Sequence, residues 1–332
     1  MSSRYKFIRN LCLPFLLVLT LASCKVPEPS NDPAFGSPPL QETTKAPDKE
    51  RKVTSTFGIL YPMANPFYEM ITELVEQAAE PESVKLIVKA PDEINLEQQI
   101  LMMETMIKQK VDGIAISPID PVALAPVINK AVSLGIPVIC FETDVPASKR
   151  LSYIGTDSYH EGYLMGAIIK RYLKGKGMIM VEGGLSESPQ QKRRLEGMLQ
   201  YLKWNTEIQV LEIRFNEGQS DRDLSDLEDM IDEHPHFDAF VSLDLISSSN
   251  SILIWKAQGL KRDSLTFGMS PEVKEALLNG QITSVISENE HLWGQWIVQQ
   301  LLLASEGKNV PSFIDTGIQE VTVADLPLSN IR

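Results

Sequence analysis

Residues 116–146 read ISPIDPVALAPVINKAVSLGIPVICFETDVP, and the fold can be worked out from this stretch. It opens on the end of one apolar run (112–117), passes Asp120 and Pro121 into an amphipathic window over 122–134, and returns after Gly135 to a second apolar run over 136–141. Two short apolar runs joined by a segment of helical length describe a strand–helix–strand unit. The second run stops abruptly at Glu142, Thr143 and Asp144, and Pro146 closes it. Carboxylates at the end of a hydrophobic strand suit a metal site, an acid/base pair, a polar cap or hooks for a ligand.

The same unit repeats on both sides. Strand-like runs fall at 53–60, 84–89, 112–117, 136–141, 177–182, 208–213, 237–242, 264–269 and 283–287. Between or after them lie helical windows at 67–80, 96–110, 122–134, 158–173, 191–203, 222–233, 249–258, 272–279 and 291–305. Such alternation means parallel sheets covered by helices on both faces. In these sheets ligands bind beyond the carboxyl ends of the strands, so the polar residues just past each strand are the candidates for function.

The first residues differ in kind. Arg4, Lys6 and Arg9 precede the apolar run LCLPFLLVLTLA (11–22), which is too short to span a bilayer comfortably and reads as an export signal over 1–23. Its end, LASC (21–24), resembles the lipobox of bacterial lipoproteins, which implies lipidation at Cys24 and a membrane anchor. Residues 25–52 are rich in Pro, Ser and charge without apolar period and are expected to form a tether. Removing 1–23 takes three basic and no acidic side chains from a chain of net charge −13 and leaves −16. So acidic a protein is a poor partner for nucleic acid. Of three cysteines only Cys140 falls in the globular part, as a packed small hydrophobe with no disulfide partner.

Several segments together resemble the sugar-binding, ribose-binding-protein-like branch of the type I periplasmic binding proteins. They are the stretch quoted first, LSYIGTDSYHEGYLMGAII (151–169), YPMANPFYEMI (61–71), KRRLEGM (192–198) and NGQITSVISENEHLWG (279–294). The likeness runs from Val53 to the C-terminus in order. It implies two Rossmann-like α/β lobes, each a parallel sheet flanked by helices, joined by three crossovers near 154–157, 286–289 and 312–317, with a ligand cleft between. The lobes are then 53–154 plus 289–312, and 155–288 plus 313–332. The family shares its fold with the effector domains of sugar-responsive repressors. Here a lipobox and tether stand where a helix-turn-helix would be, which argues against DNA binding.

Carried over position by position, the resemblance implies a ligand site of Asn65, Phe67, Tyr68, Ser117, Glu142, Asp157, Arg194, Asp244, Ser270 and Glu288. An aromatic face covers the C–H side of a sugar ring, although Phe67 also suits core packing and Asn65 a helix N-cap. Ser117 either reaches the ligand or shapes the turn before Pro118. Glu142 stands where the family has Asp and can accept two hydroxyls at once. Asp144 is expected to brace the loop, and Asp157 to touch ligand or set the hinge. Arg194, from the family's Arg-x-x-Gly, offers a planar fork to ring oxygen and hydroxyls, while Lys192 and Arg193 read as a solvated face. Phe215 lies near a family aromatic position out of register. Asp244, Ser270 and Glu288 replace the family's Asn, Asp and Gln. This acidic set points to a ligand richer in donors than a plain pentose.

No His-Glu-x-x-His, Gly-x-Ser-x-Gly, Walker loop or Gly-x-Gly-x-x-Gly is present, and His160, His234, His236 and His291 are scattered. The expectation is therefore not an enzyme and no cofactor or metal. It is a monomeric, lipid-anchored extracytoplasmic protein that captures a carbohydrate or derivative and delivers it to an ABC-type permease. The alternative is a receptor signalling to a membrane histidine kinase or chemoreceptor.

Overall fold

A computed structural model describes residues 55–326, so the expected export signal, Cys24 and the tether lie outside the described residues. The chain alternates as the pattern requires: β1 (Ser55–Leu60), α1 (Pro66–Ala79), β2 (Val84–Lys89), α2 (Leu96–Gln109), β3 (Gly113–Ile116), α3 (Pro121–Ser133), β4 (Val138–Phe141) and β5 (Ser152–Gly155). Then come α4 (Ser158–Tyr172), β6 (Lys176–Gly183), α5 (Pro189–Asn205), β7 (Glu207–Phe215), α6 (Ser220–Glu233), β8 (Ala239–Ser242), α7 (Leu245–Gln258), β9 (Asp263–Phe267), α8 (Pro271–Asn279) and β10 (Ser284–Ser287). A short 3₁₀ turn (Glu290–Leu292) leads into α9 (Trp293–Ser305), β11 (Phe313–Asp315) and β12 (Gln319–Val321).

The strands form two six-stranded sheets, ordered β11-β5-β4-β3-β1-β2 and β12-β10-β9-β8-β6-β7. All pairs are parallel except β10 with β12. Strands β3 and β4 are buried along their whole length, as a sheet covered on both faces demands. Their side chains alternate between two layers. Ile139 and Phe141 pack toward Ile71, Ile297 and Leu301, whereas Val138 and Cys140 pack toward Met103, Leu124 and Ile128. Cys140 is thus core filling.

Residues 313–315 correct the expected lobe boundary. They were assigned by resemblance to the second lobe, but β11 pairs with β5 at the edge of the first sheet, and Phe313 stacks on Tyr153 with centroids 5.4 Å apart. The last crossover therefore follows Asp315. Its Thr316 donates its N–H to Gly155 (3.0 Å) and its hydroxyl to the Glu288 carbonyl (2.7 Å), and Asn289 Nδ2 donates to Thr316 O (2.8 Å). The three connecting segments are hydrogen-bonded to one another.

Helices α4 and α5 touch backbone to backbone because glycines line their contact. A Cβ on Gly162 would lie 1.7 Å from the Arg194 carbonyl oxygen, and one on Gly197 would lie 2.1 Å from that of Tyr159. Gly162→Ala must therefore push the helices apart and is expected to cost about 3 kcal/mol in urea denaturation. An unchanged midpoint would refute the close packing.

Candidate functional site

Between the carboxyl ends of the two sheets lies a cavity of about 100 Å³. The first lobe contributes Phe67, Tyr68, Ser117 and Glu142, the second Arg194, Asp244 and Phe267, and the segment after β10 supplies Glu288, Glu290 and Trp293. Of the ten residues expected from the sequence, seven meet here: Phe67, Tyr68, Ser117, Glu142, Arg194, Asp244 and Glu288.

Asn65, Asp157 and Ser270 do not line it. Each sits at the start of a helix, where the first N–H groups have no intrahelical partner, and each spends its side chain there. Asn65 accepts from Phe67 N (2.8 Å), Asp157 from His160 N (2.9 Å) and Ser270 from Val273 N (3.0 Å). Pro66 and Pro271 follow Asn65 and Ser270 at the first helical position, where a missing N–H costs nothing. Phe215, on β7, also stays outside the lining. Asp144 braces its loop as expected, taking both Nε and Nη2 of Arg150 at 2.5 and 2.6 Å.

Glu142 adopts a left-handed backbone (φ 62°), uncommon for a residue with a side chain. The turn aims its carboxyl at Ser117 Oγ (2.6 Å) and Tyr68 Oη (2.9 Å), both of which donate to it. Loss of hydration raises the Glu142 pKa above the usual carboxylate range, and these two donors only partly offset the shift. The side chain of Gln190, from the second lobe, donates to the Glu142 carbonyl (3.2 Å) and accepts from Thr143 Oγ1 (3.0 Å).

Arg194 lines the cavity as expected and is also tied into the protein. It is 5% exposed, and its guanidinium lies 4.2 Å from the centroid of Phe267. Its Nε donates to Glu161 (2.7 Å), Nη1 to the Leu243 carbonyl (2.9 Å) and Nη2 to Glu288 (2.9 Å). Burial works against the charge, but Glu161 and Glu288 outweigh it and the Arg194 pKa rises. Glu161 was not anticipated. It sits in the first turn of α4 and meets Arg194 only because the glycine contact brings α5 against α4.

The other acids lack such a partner. Asp244 caps α7 through Ser247 N and Ile246 N and accepts the Ser247 hydroxyl (2.5 Å). Glu290, also missed in the sequence, accepts from Ser287 Oγ and from Met269 N (3.0 Å). Burial raises both pKa values. The indole N–H of Trp293, 1% exposed, has no hydrogen-bond partner among the described residues. Away from the cavity, Glu212, Glu233 and His234 approach metal-ligand spacing among the described residues. Arg214 already lies against two of them, with Nε 2.6 Å from Glu212 and Nη2 3.5 Å from Glu233.

Two α/β lobes with a lined cleft between them define a bilobal binding protein. The chain belongs to the periplasmic binding protein domain family, which matches residues 58–309. It is 25% identical over 157 residues to a D-ribose/D-allose-binding protein of Pseudomonas aeruginosa, covering 46% of this chain and 49% of that one. To the ribose import binding protein RbsB of Bacillus subtilis it is 23% identical over 176 residues, covering 53% and 56%. The matches thus span about half the length of these relatives. An ABC transporter solute-binding protein of Burkholderia graminis, solved in complex with D-arabinose, superposes with a TM-score of 0.77 at 24% identity, over 83% of this chain and 98% of that one. No helix among the described residues is long and apolar enough to cross a membrane.

Proposed function

We propose that this protein captures a monosaccharide or sugar-like molecule in the cleft and, closed around it, delivers it to an ABC-type importer. The observation that carries the reading is the cavity itself, where aromatic rings (Phe67, Tyr68, Phe267, Trp293) meet carboxylates delivered from both lobes. Rings of this kind cover C–H faces and carboxylates accept hydroxyls in pairs, which is the chemistry of sugar recognition. The names of the relatives support the same ligand class. The bonded crossovers at 155–157, 287–289 and 316–317 are the hinge about which the lobes part, because only short connections cross there. The role is binding rather than catalysis, by a monomer exported and held to the envelope through Cys24, with 25–52 as spacer.

Mass spectrometry of the molecule released when the purified protein is denatured tests this. A compound of monosaccharide mass is expected, and Trp293→Phe should weaken its rebinding by about three- to tenfold, the worth of one neutral hydrogen bond. If nothing is released and no carbohydrate raises the melting temperature of the protein, the reading fails.

A further inference from the structure

The charges in the cavity do not balance, and the imbalance has a chemical meaning. Four carboxyls line it, from Glu142, Asp244, Glu288 and Glu290, against the single guanidinium of Arg194. That guanidinium is already shared between Glu288 and Glu161, the latter buried behind it. No ion pair among the described residues reaches Glu142, Asp244 or Glu290. Asp244 and Glu290 each hold backbone N–H groups in place, as a helix cap and as a clamp on Met269. Glu142 has no such duty. Its carboxyl is held by two neutral hydroxyls alone, those of Ser117 and Tyr68, and it is the one non-glycine residue with a left-handed backbone among those lining the cavity.

A desolvated carboxylate without a cation is costly, and a ligand that brings one removes the cost. The unpartnered indole N–H of Trp293 adds a second requirement, an acceptor on the ligand. Building on the reading of the cleft as a sugar site, we propose that its ligand is a polyhydroxylated amine of monosaccharide size, such as an amino sugar, with the ammonium on Glu142 and a hydroxyl or ring oxygen on Trp293. Arg194 serves the pocket by holding Glu288 in place rather than by gripping the ligand.

Isothermal titration of the purified full chain at pH 7 tests this with matched sets in the gluco, galacto and manno series: the free amine, its N-acetyl form and the neutral parent sugar. N-acetylation keeps the hydroxyls and removes the charge. At least one amine is expected to bind roughly tenfold or more tightly than both counterparts, and Glu142→Gln to remove that preference. If neutral sugars bind as tightly as the amines in every series, this inference is overturned while sugar capture stands. A preference that survives Glu142→Gln unchanged overturns the assignment to Glu142. Silence in all three series overturns the inference together with the reading beneath it.

Discussion

Arg194→Ala is expected to destabilise the protein by about 3–5 kcal/mol, measured by urea denaturation without ligand. The substitution strands Glu161 and Glu288, respectively 1% and 5% exposed, with no cation between them. Glu288 already lies well above the usual carboxylate range, first through burial and then through Glu161, and Arg194 pulls it down. Taking Arg194 away removes that pull and drives Glu288 further up. The Thr156 hydroxyl bonds to Glu161 and lies 3.4 Å from Glu288, so the strain reaches the first crossover. Adding Glu161→Gln and Glu288→Gln to Arg194→Ala should recover part of the loss, because the buried charges go with their partner. A variant that folds with full stability and loses only ligand binding would return Arg194 to the role its sequence motif suggests.

Glu182→Gln is expected to raise stability by about 3 kcal/mol at pH 7 and to change it little at pH 4. Glu182 ends β6 on the face shared with Met180, which packs against Leu227 and Trp255 of α6 and α7. It is completely buried, no group among the described residues donates a hydrogen bond to either carboxyl oxygen, and the acid beside it, Asp223, is placed to accept one from the protonated form. Burial, then Asp223, Asp226 and Asp244, push its pKa up to about 10. The folded state therefore keeps a proton that the unfolded chain releases near the ordinary carboxylate pKa of about 4.3. Stability is fully present below that pH and drains away as pH rises toward 10, at about 1.4 kcal/mol per unit. An amide does not titrate, so the gain from the Gln variant should widen from pH 4 to pH 9. Asp223, which burial raises to about 6, keeps a smaller slope of the same sign in the variant. Denaturation at pH 4, 7 and 9 checks this, and parallel curves for both proteins would disprove the protonated Glu182.

Glu182 and Glu161 show why the buried acids around the site escaped the sequence. Glu182 closes the strand-like run 177–182 and opens EGGLSES (182–188), which reads as a glycine-rich loop bordering the cleft, although its side chain turns into the layer below. Glu161 stands in an ordinary first helical turn, where an acid is expected for the helix dipole alone. Nothing local separates an acid that faces water from one that faces a guanidinium 33 residues away. Glu290 had a fainter signal, lying two positions after Glu288 in SENEHLWG. By contrast Glu142 was legible, because an apolar strand that stops in a carboxylate must deliver it to the sheet's edge.

Legible along the chain were the nine helices, nine of the twelve strands among the described residues (all but β5, β11 and β12), their parallel pairing and the rule that polar residues gather beyond strand ends. Those follow from local periodicity and from caps and prolines, which act over a few residues. Which strand-end residues reach the cavity depends on the folded arrangement of both lobes. A side chain such as Asn65, Asp157 or Ser270 can satisfy its own helix's free N–H groups or a ligand, and the choice depends on where the other lobe stands. The same arrangement ties Arg194 to Glu161 and Glu288. Charge pairing in a buried site is set by distances across the fold, and no spacing along the chain contains them.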